Sequence, residues 1–155
     1  KMKTDLKKAA EFLNNGEYTC VLCKGAEVLT STKRGVTPLI DWIDNSADLK
    51  GFSAADKVVG KAAAILYVLF KVEAVYAPVM SEGAISVLAE NGISAFCDKK
   101  VSRIINRTGD GLCPMEQAVS DVTDPEEGLK KIRERLNYHA KRDIKTYKAV
   151  TKRMI

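Results

Sequence analysis

Apolar positions recur along this chain at two periods, and the switches between them mark out its elements. In "TDLKKAAEFLNNG", Leu6, Ala10 and Leu13 fall on one helical face, with Thr4 placed to cap the start and Gly16 to end it. In "EYTCVLCKGAEVLTS", apolar and β-branched residues flank Lys24-Gly25, which predicts a hairpin with strands near Glu17 to Cys23 and Ala26 to Ser31. "VTPLIDWIDN" then sets Thr37 at an N-cap and Pro38 at the first position of a short helix carrying Leu39, Ile40, Trp42 and Ile43.

The middle of the chain changes character. "FSAADKVVGKAAAILYVLF" has Ser53 and Asp56 at capping-box spacing, and its apolar residues from Val58 to Phe70 cover nearly every face, so a central helix is expected. "EAVYAPVM" is continuously apolar, as an interior strand is, and Ser81 is placed to cap the helix "EGAISVLAENG", which stops at Asn91-Gly92. Strand "ISAFCD" follows, giving a β-α-β unit, hence parallel strands with a right-handed crossover. "VSRIINR" has the character of a further strand, "TGDG" of a turn, and "PMEQAVSD" of a short helix opened by Pro114. Asp124-Pro125 opens a helix in which Leu129, Ile132 and Leu136 recur, followed by Ala140, Ile144, Tyr147, Thr151 and Met154; no glycine or proline interrupts after Gly128, so one long helix, or two, is expected to the end.

Composition narrows the class. With 155 residues, 46% hydrophobic and 29% charged, the chain is long enough for one well-packed core and is not of disordered type. The longest apolar run, Ala62 to Phe70, falls short of the roughly 20 residues that cross a bilayer, and no signal-peptide core follows the lysine-rich start, so a cytoplasmic protein with no membrane partner is expected. Nothing marks the four cysteines as disulfide-forming. Cys20 and Cys23 form a C-x-x-C, but on a strand residues three apart face opposite ways, which weakens both a zinc clip and a redox pair. The net charge of +5 is uneven: from Gly128 onward ten Lys or Arg oppose two acids, while the preceding residues carry 15 basic against 18 acidic groups. A division follows into a domain over 1–122 and a basic helical extension over 123–155, whose charged face is either solvated or a surface for nucleic acid or an acidic partner; no nucleic-acid motif accompanies it.

Three separated stretches, "LKGFSAADKVVGKAAA", "VYAPVMSEGAI" and "NRTGDGLCPMEQAV", together resemble a bacterial family of unknown function with a cytidine-deaminase-like fold, over approximately Leu6 to Val119. The resemblance implies a three-layer α/β/α sandwich with a mixed sheet, built from an N-terminal β-hairpin and parallel β-α-β strands, and it makes a homodimer a natural expectation. A zinc deaminase needs H-x-E or C-x-E at one helix start and P-C-x-x-C at the next, because zinc acidifies its bound water while the glutamate moves the proton. Here those places hold Gly60, Lys61 and Ala62, and Pro78 followed by Val79 and Met80. The only histidine, His139, is far away in sequence, so no metal, no cofactor and no zinc-dependent deamination are expected.

The layout implied by the resemblance sets the helix starts at Ser53 and Ser81 side by side at the carboxyl edge of the sheet, with the loop from Asn106 to Glu116 over them. Lys57, Lys61, Ser81, Glu82, Asn106, Arg107, Cys113 and Glu116 then become candidates to surround a small molecule. Helix N-termini, two lysines and an arginine suit a nucleotide-like or phosphate-bearing ligand. Two other functions compete with non-catalytic binding. One is a cysteine-dependent enzyme using Cys113, whose thiolate a helix start favours and Glu116 opposes. The other is an interaction module acting through the basic C-terminal helix.

Overall fold

A computed structural model describes residues 1–137. The expected run of the last helix to the chain end, with most of its basic face and His139, lies outside the described residues. The elements are α1 (Thr4–Asn15), β1 (Cys20–Lys24), β2 (Glu27–Ser31), α2 (Thr37–Asp44), β3 (Ser53–Asp56), β4 (Val58–Val59), α3 (Lys61–Phe70), β5 (Ala74–Ser81), α4 (Glu82–Glu90), β6 (Ser94–Val101) and α5 (Pro114–Val119). A further helix, α6, covers 125–137.

One mixed sheet organises them. β1 pairs antiparallel with β2 and with β3; β3 and then β4 pair parallel with one edge of β5, and β6 pairs parallel along the other. Two clusters of buried side chains cover the sheet's faces. On one, Leu6, Ala9, Ala10 and Leu13 of α1 meet Val21, Cys23, Ala55, Ala74 and Tyr76. On the other, α2, α3 and α4 enclose Cys20, Leu22, Ala54, Val59, Val75, Ala77 and Met80, and Val119 of α5 and Ile132 of α6 join the same cluster. This is the three-layer α/β/α architecture with a mixed sheet that the cytidine-deaminase-like resemblance implies. Alternation along β1 sends Cys20 and Cys23 into different clusters, as strand geometry requires.

The largest departure from the sequence reading lies before α3. Ser53 caps no helix: Ser53–Asp56 is a strand buried at every position, and the helix begins eight residues later at Lys61. Ser, Ala, Ala and Asp carry no apolar signature, yet a strand enclosed between α1 and α3 needs small side chains more than large ones. The lane is broken at Lys57, opposite Pro78, which has no N–H to offer a ladder and is paired with no residue of β3, β4 or β6. Smaller shifts occur elsewhere. Thr4 and Thr37 are the first residues of their helices rather than caps, and the turn of the hairpin is Gly25-Ala26, with Lys24 paired to Glu27. The expected strand over "VSRIINR" is absent: β6 ends at Val101, and the following loop holds only an isolated bridge between Ile105 and Leu112.

Candidate functional site

At the carboxyl ends of β4 and β5 the chain turns directly into α3 and α4, so the two helix starts are neighbours. A Cβ built on Gly83 would stand 3.8 Å from Lys61 Cβ and 3.9 Å from Ser81 Oγ. Ser81 is buried and its hydroxyl oxygen accepts from the Ala84 N–H at 3.1 Å, a local N-cap for α4. α3 has no such local cap, since Gly60 stands at its N-cap. Its first amides go instead to a residue far along the chain. Lys61 N–H donates to Glu116 Oε1 at 2.7 Å and Ala62 N–H to Glu116 Oε2 at 2.9 Å. A carboxylate is held there by both oxygens, where unpaired amides and the helix dipole favour negative charge.

Gly60 makes this approach possible. A Cβ at that position would lie within 2.3 Å of Glu116 Oε1 and 2.5 Å of its Cδ, so any side chain would exclude the carboxylate. Lys61 is tied to the same segment twice, because its ammonium also donates to the Ser120 carbonyl at 3.2 Å. The loop that delivers α5 is braced internally. Asn106 donates through Nδ2 to Asp110 Oδ1 at 3.0 Å and accepts from Thr108 Oγ1 at 3.1 Å, while Asn106 N–H bonds the Gly111 carbonyl at 2.8 Å. Cys113, half-buried, occupies the position before α5 and donates its N–H to the Ile104 carbonyl at 3.0 Å.

Of the residues singled out in the sequence, Lys61 and Glu116 are in direct contact, and Ser81 and Glu82 open the adjoining helix. Asn106 organises the loop, and Arg107 is exposed on it. Lys57 does not join them: it follows β3 rather than opening a helix, and its Nζ lies 3.4 Å from the Leu13 carbonyl at the end of α1. Ser53, taken as the neighbour of Ser81, instead begins β3 at the amino edge of the parallel strands, paired with Ala74.

Sequence reasoning missed a buried polar trio beneath α3. Tyr67 Oη donates to Asp56 Oδ2 at 2.7 Å and lies 3.3 Å from Cys20 Sγ. Burial pushes the Asp56 carboxyl up to about 7, against the opposing pull of the hydrogen bonds from Tyr67 and from the Lys57 and Val58 N–H groups. Burial likewise raises Tyr67 and Cys20, with the Asp56 charge adding to both. Asp56 closes β3 beside the break in the sheet, where its carboxyl accepts from Tyr67 Oη while the Lys57 N–H also donates to the Thr19 carbonyl at 3.1 Å. Its signal in the sequence, an acid inside a run of small residues, was disguised as a capping box.

These donors do not suit zinc. The starts of α3 and α4 offer Gly60, Lys61, Ala62, Val79, Met80, Ser81 and Glu82, with no histidine or cysteine among them, and the carboxylate delivered from α5, Glu116, is engaged with backbone amides. No cluster of three or more His, Cys, Asp or Glu able to hold a metal occurs among the described residues. No helix among them is long and apolar enough to cross a membrane.

The crystal structure of a DUF1893 family protein, TM1506, from Thermotoga maritima is similar to this chain at 27% identity, covering 89% of this chain and 92% of that one with a TM-score of 0.76. A dCMP deaminase from the cyanophage S-TIM5, in apo form, overlaps more loosely, at 15% identity over 62% of this chain and 99% of that one with a TM-score of 0.42. A search of the curated proteins finds no match. The family described as "TM1506: Domain of unknown function (DUF1893)" matches residues 8–136, most of the chain, and the protein belongs to that family.

Proposed function

We propose that this domain binds a phosphate-bearing or otherwise anionic small molecule of nucleotide type at the shared mouth of α3 and α4, and that it does so without zinc chemistry. The observation that carries the reading is the pair of α3 amides holding a carboxylate by both oxygens, the geometry a phosphate would take. Lys61 supplies a positive charge at the same mouth, with Ser81 and Glu82 beside it and Arg107 on the loop that leads to α5. Polar groups of Asn106 and Cys113 belong to the covering segment. Glu82, exposed at the first turn of α4, is suited to accept from a sugar hydroxyl or a base amine.

The test is a thermal-shift panel of nucleoside mono-, di- and triphosphates and inorganic phosphate, run on the wild type and Lys61→Ala. A ligand present at a hundred times its Kd stabilises the fold by about 2.7 kcal/mol, well within reach of the method. A shift in the wild type that is lost in Lys61→Ala supports the reading. No shift from any member of the panel refutes it.

A further inference from the structure

We propose that the free margin of β6 is a docking edge for an extended acidic segment of a partner protein, which joins the sheet there as an added strand. The proposal is independent of the ligand-binding reading above.

The two outer strands of the sheet are unlike. β2 is five residues long, whereas β6 runs for eight, about 26 Å at the usual rise of a strand. β5 pairs with one side of β6 from Ser94 to Val101, and no strand among the described residues pairs along the other. On that side roughly every second residue turns an N–H and a C=O outward, a template for one more strand. The first half of the edge is apolar: Ala95, Phe96 and Cys97 are only half-buried, so a strand laid beside them would cover hydrophobic surface.

Charge says which kind of strand. Lys99 and Lys100 lie near the end of β6, and the loop that leaves it carries Arg103 and Arg107, all four exposed. None of them joins an ion pair among the described residues. The one acid of β6, Asp98, is already bonded by Tyr76 Oη at 2.6 Å. Ile105, 46% exposed, stands between the two arginines and adds an apolar contact to the basic ones.

Lysines on an edge guard against indiscriminate pairing, and here they select the occupant. A second copy would bring the same four cations and double the positive charge of the margin. The chain's own residues 138–155 would add six Lys or Arg against a single acid, Asp143. A nucleic acid would neutralise the cations and leave the row of backbone groups unused. An acidic strand answers both features, with carboxylates beside Lys99 and Lys100 and apolar side chains beside Ala95, Phe96 and Cys97. Laid antiparallel, the slightly more stable pairing, it reads acids first and apolar residues after.

The experiment uses the full chain and a short fluorescent peptide in which two glutamates precede alternating valine and threonine. Anisotropy gives its Kd, and amide hydrogen exchange locates it. Exchange should slow at alternate residues of β6 and stay unchanged in α1. Lys99→Glu combined with Lys100→Glu should weaken binding about tenfold, since two cross-strand attractions become repulsions. Both residues are exposed, so the variant should fold. The same peptide N-methylated at every second amide, prepared in both phases, separates pairing from charge. The phase that removes the edge-facing N–H groups should lose binding, and the other should keep it. Failure of the acidic peptide to bind, or equal binding by both methylated phases, would overturn the docking edge. A single-stranded oligonucleotide that binds where the peptide does not would overturn it in favour of a nucleic acid. Protection of β6 that appears on self-association of the protein alone would overturn it in favour of a second copy.

Discussion

Asp56→Asn should change how stability depends on pH. Asp56 is buried at the end of β3, bonded by Tyr67 Oη at 2.7 Å, and burial raises its carboxyl from 3.8 to about 7. The folded protein therefore keeps a proton that the unfolded chain surrenders near pH 4. The stability this provides is fully present below 3.8 and is lost as pH rises through about 7, beyond which both states are ionised and the loss is complete. A rise from 3.8 to about 7 amounts to about 4 kcal/mol, at roughly 1.4 kcal/mol per pH unit. Asparagine keeps a carbonyl oxygen for Tyr67 and has nothing to titrate. Urea unfolding of both proteins at intervals from pH 3.5 to pH 8 provides the assay, because the contributions of all other groups cancel in the difference between them. The advantage of wild type over variant should shrink by about 4 kcal/mol across this range and level off above pH 7. Parallel stability curves would refute the reasoning and mean that the fold leaves the Asp56 carboxyl at its unfolded value.

Two further outcomes probe packing and capping. Gly128→Ala would stabilise an exposed helix by about 1 kcal/mol, but here the new Cβ would stand 2.8 Å from Ile65 Cγ2 and 3.1 Å from its Cδ1, so a loss of about 1–3 kcal/mol is expected in urea unfolding; a gain would mean that α6 is not seated against α3. Ser81→Ala removes the acceptor for the Ala84 N–H and should cost about 1 kcal/mol by the same measurement, an unchanged midpoint counting against the cap.

The sequence disclosed elements whose signals are local. Ser81 as a cap, Asn91-Gly92 as a stop and Pro114 at the head of α5 each act within a few residues, and each was legible. β5 was legible because a strand covered on both faces reads as an apolar run. β3 was not, because enclosure between two helical layers selected Ser53, Ala54, Ala55 and Asp56 for smallness, and smallness has no period. At the candidate site, the helix start with Gly60 and Lys61 and the delivery of Glu116 by a loop could each be suspected. The resemblance set Lys61 and Glu116 around one cleft but gave no direct bond between them, since a carboxylate-to-amide contact across 55 positions is a property of the packed sheet and leaves no mark on either neighbourhood. Lys57 went astray for the same reason as Ser53: once the helix start moves to Lys61, Lys57 belongs to the break in the lane and its ammonium reaches toward α1.

The two thiols of β1 carry a lesson for anyone handling this protein in air. Cys20 and Cys23 project through opposite sides of a ribbon that is stitched to neighbours along both margins. Bringing their sulfurs within bonding range would mean tearing that ribbon from the sheet, so mild oxidants should leave the pair reduced for as long as the protein stays folded. A C-x-x-C string in a list of motifs invites a redox or metal label; carried on an extended backbone, it describes two unrelated tenants of two separate interiors.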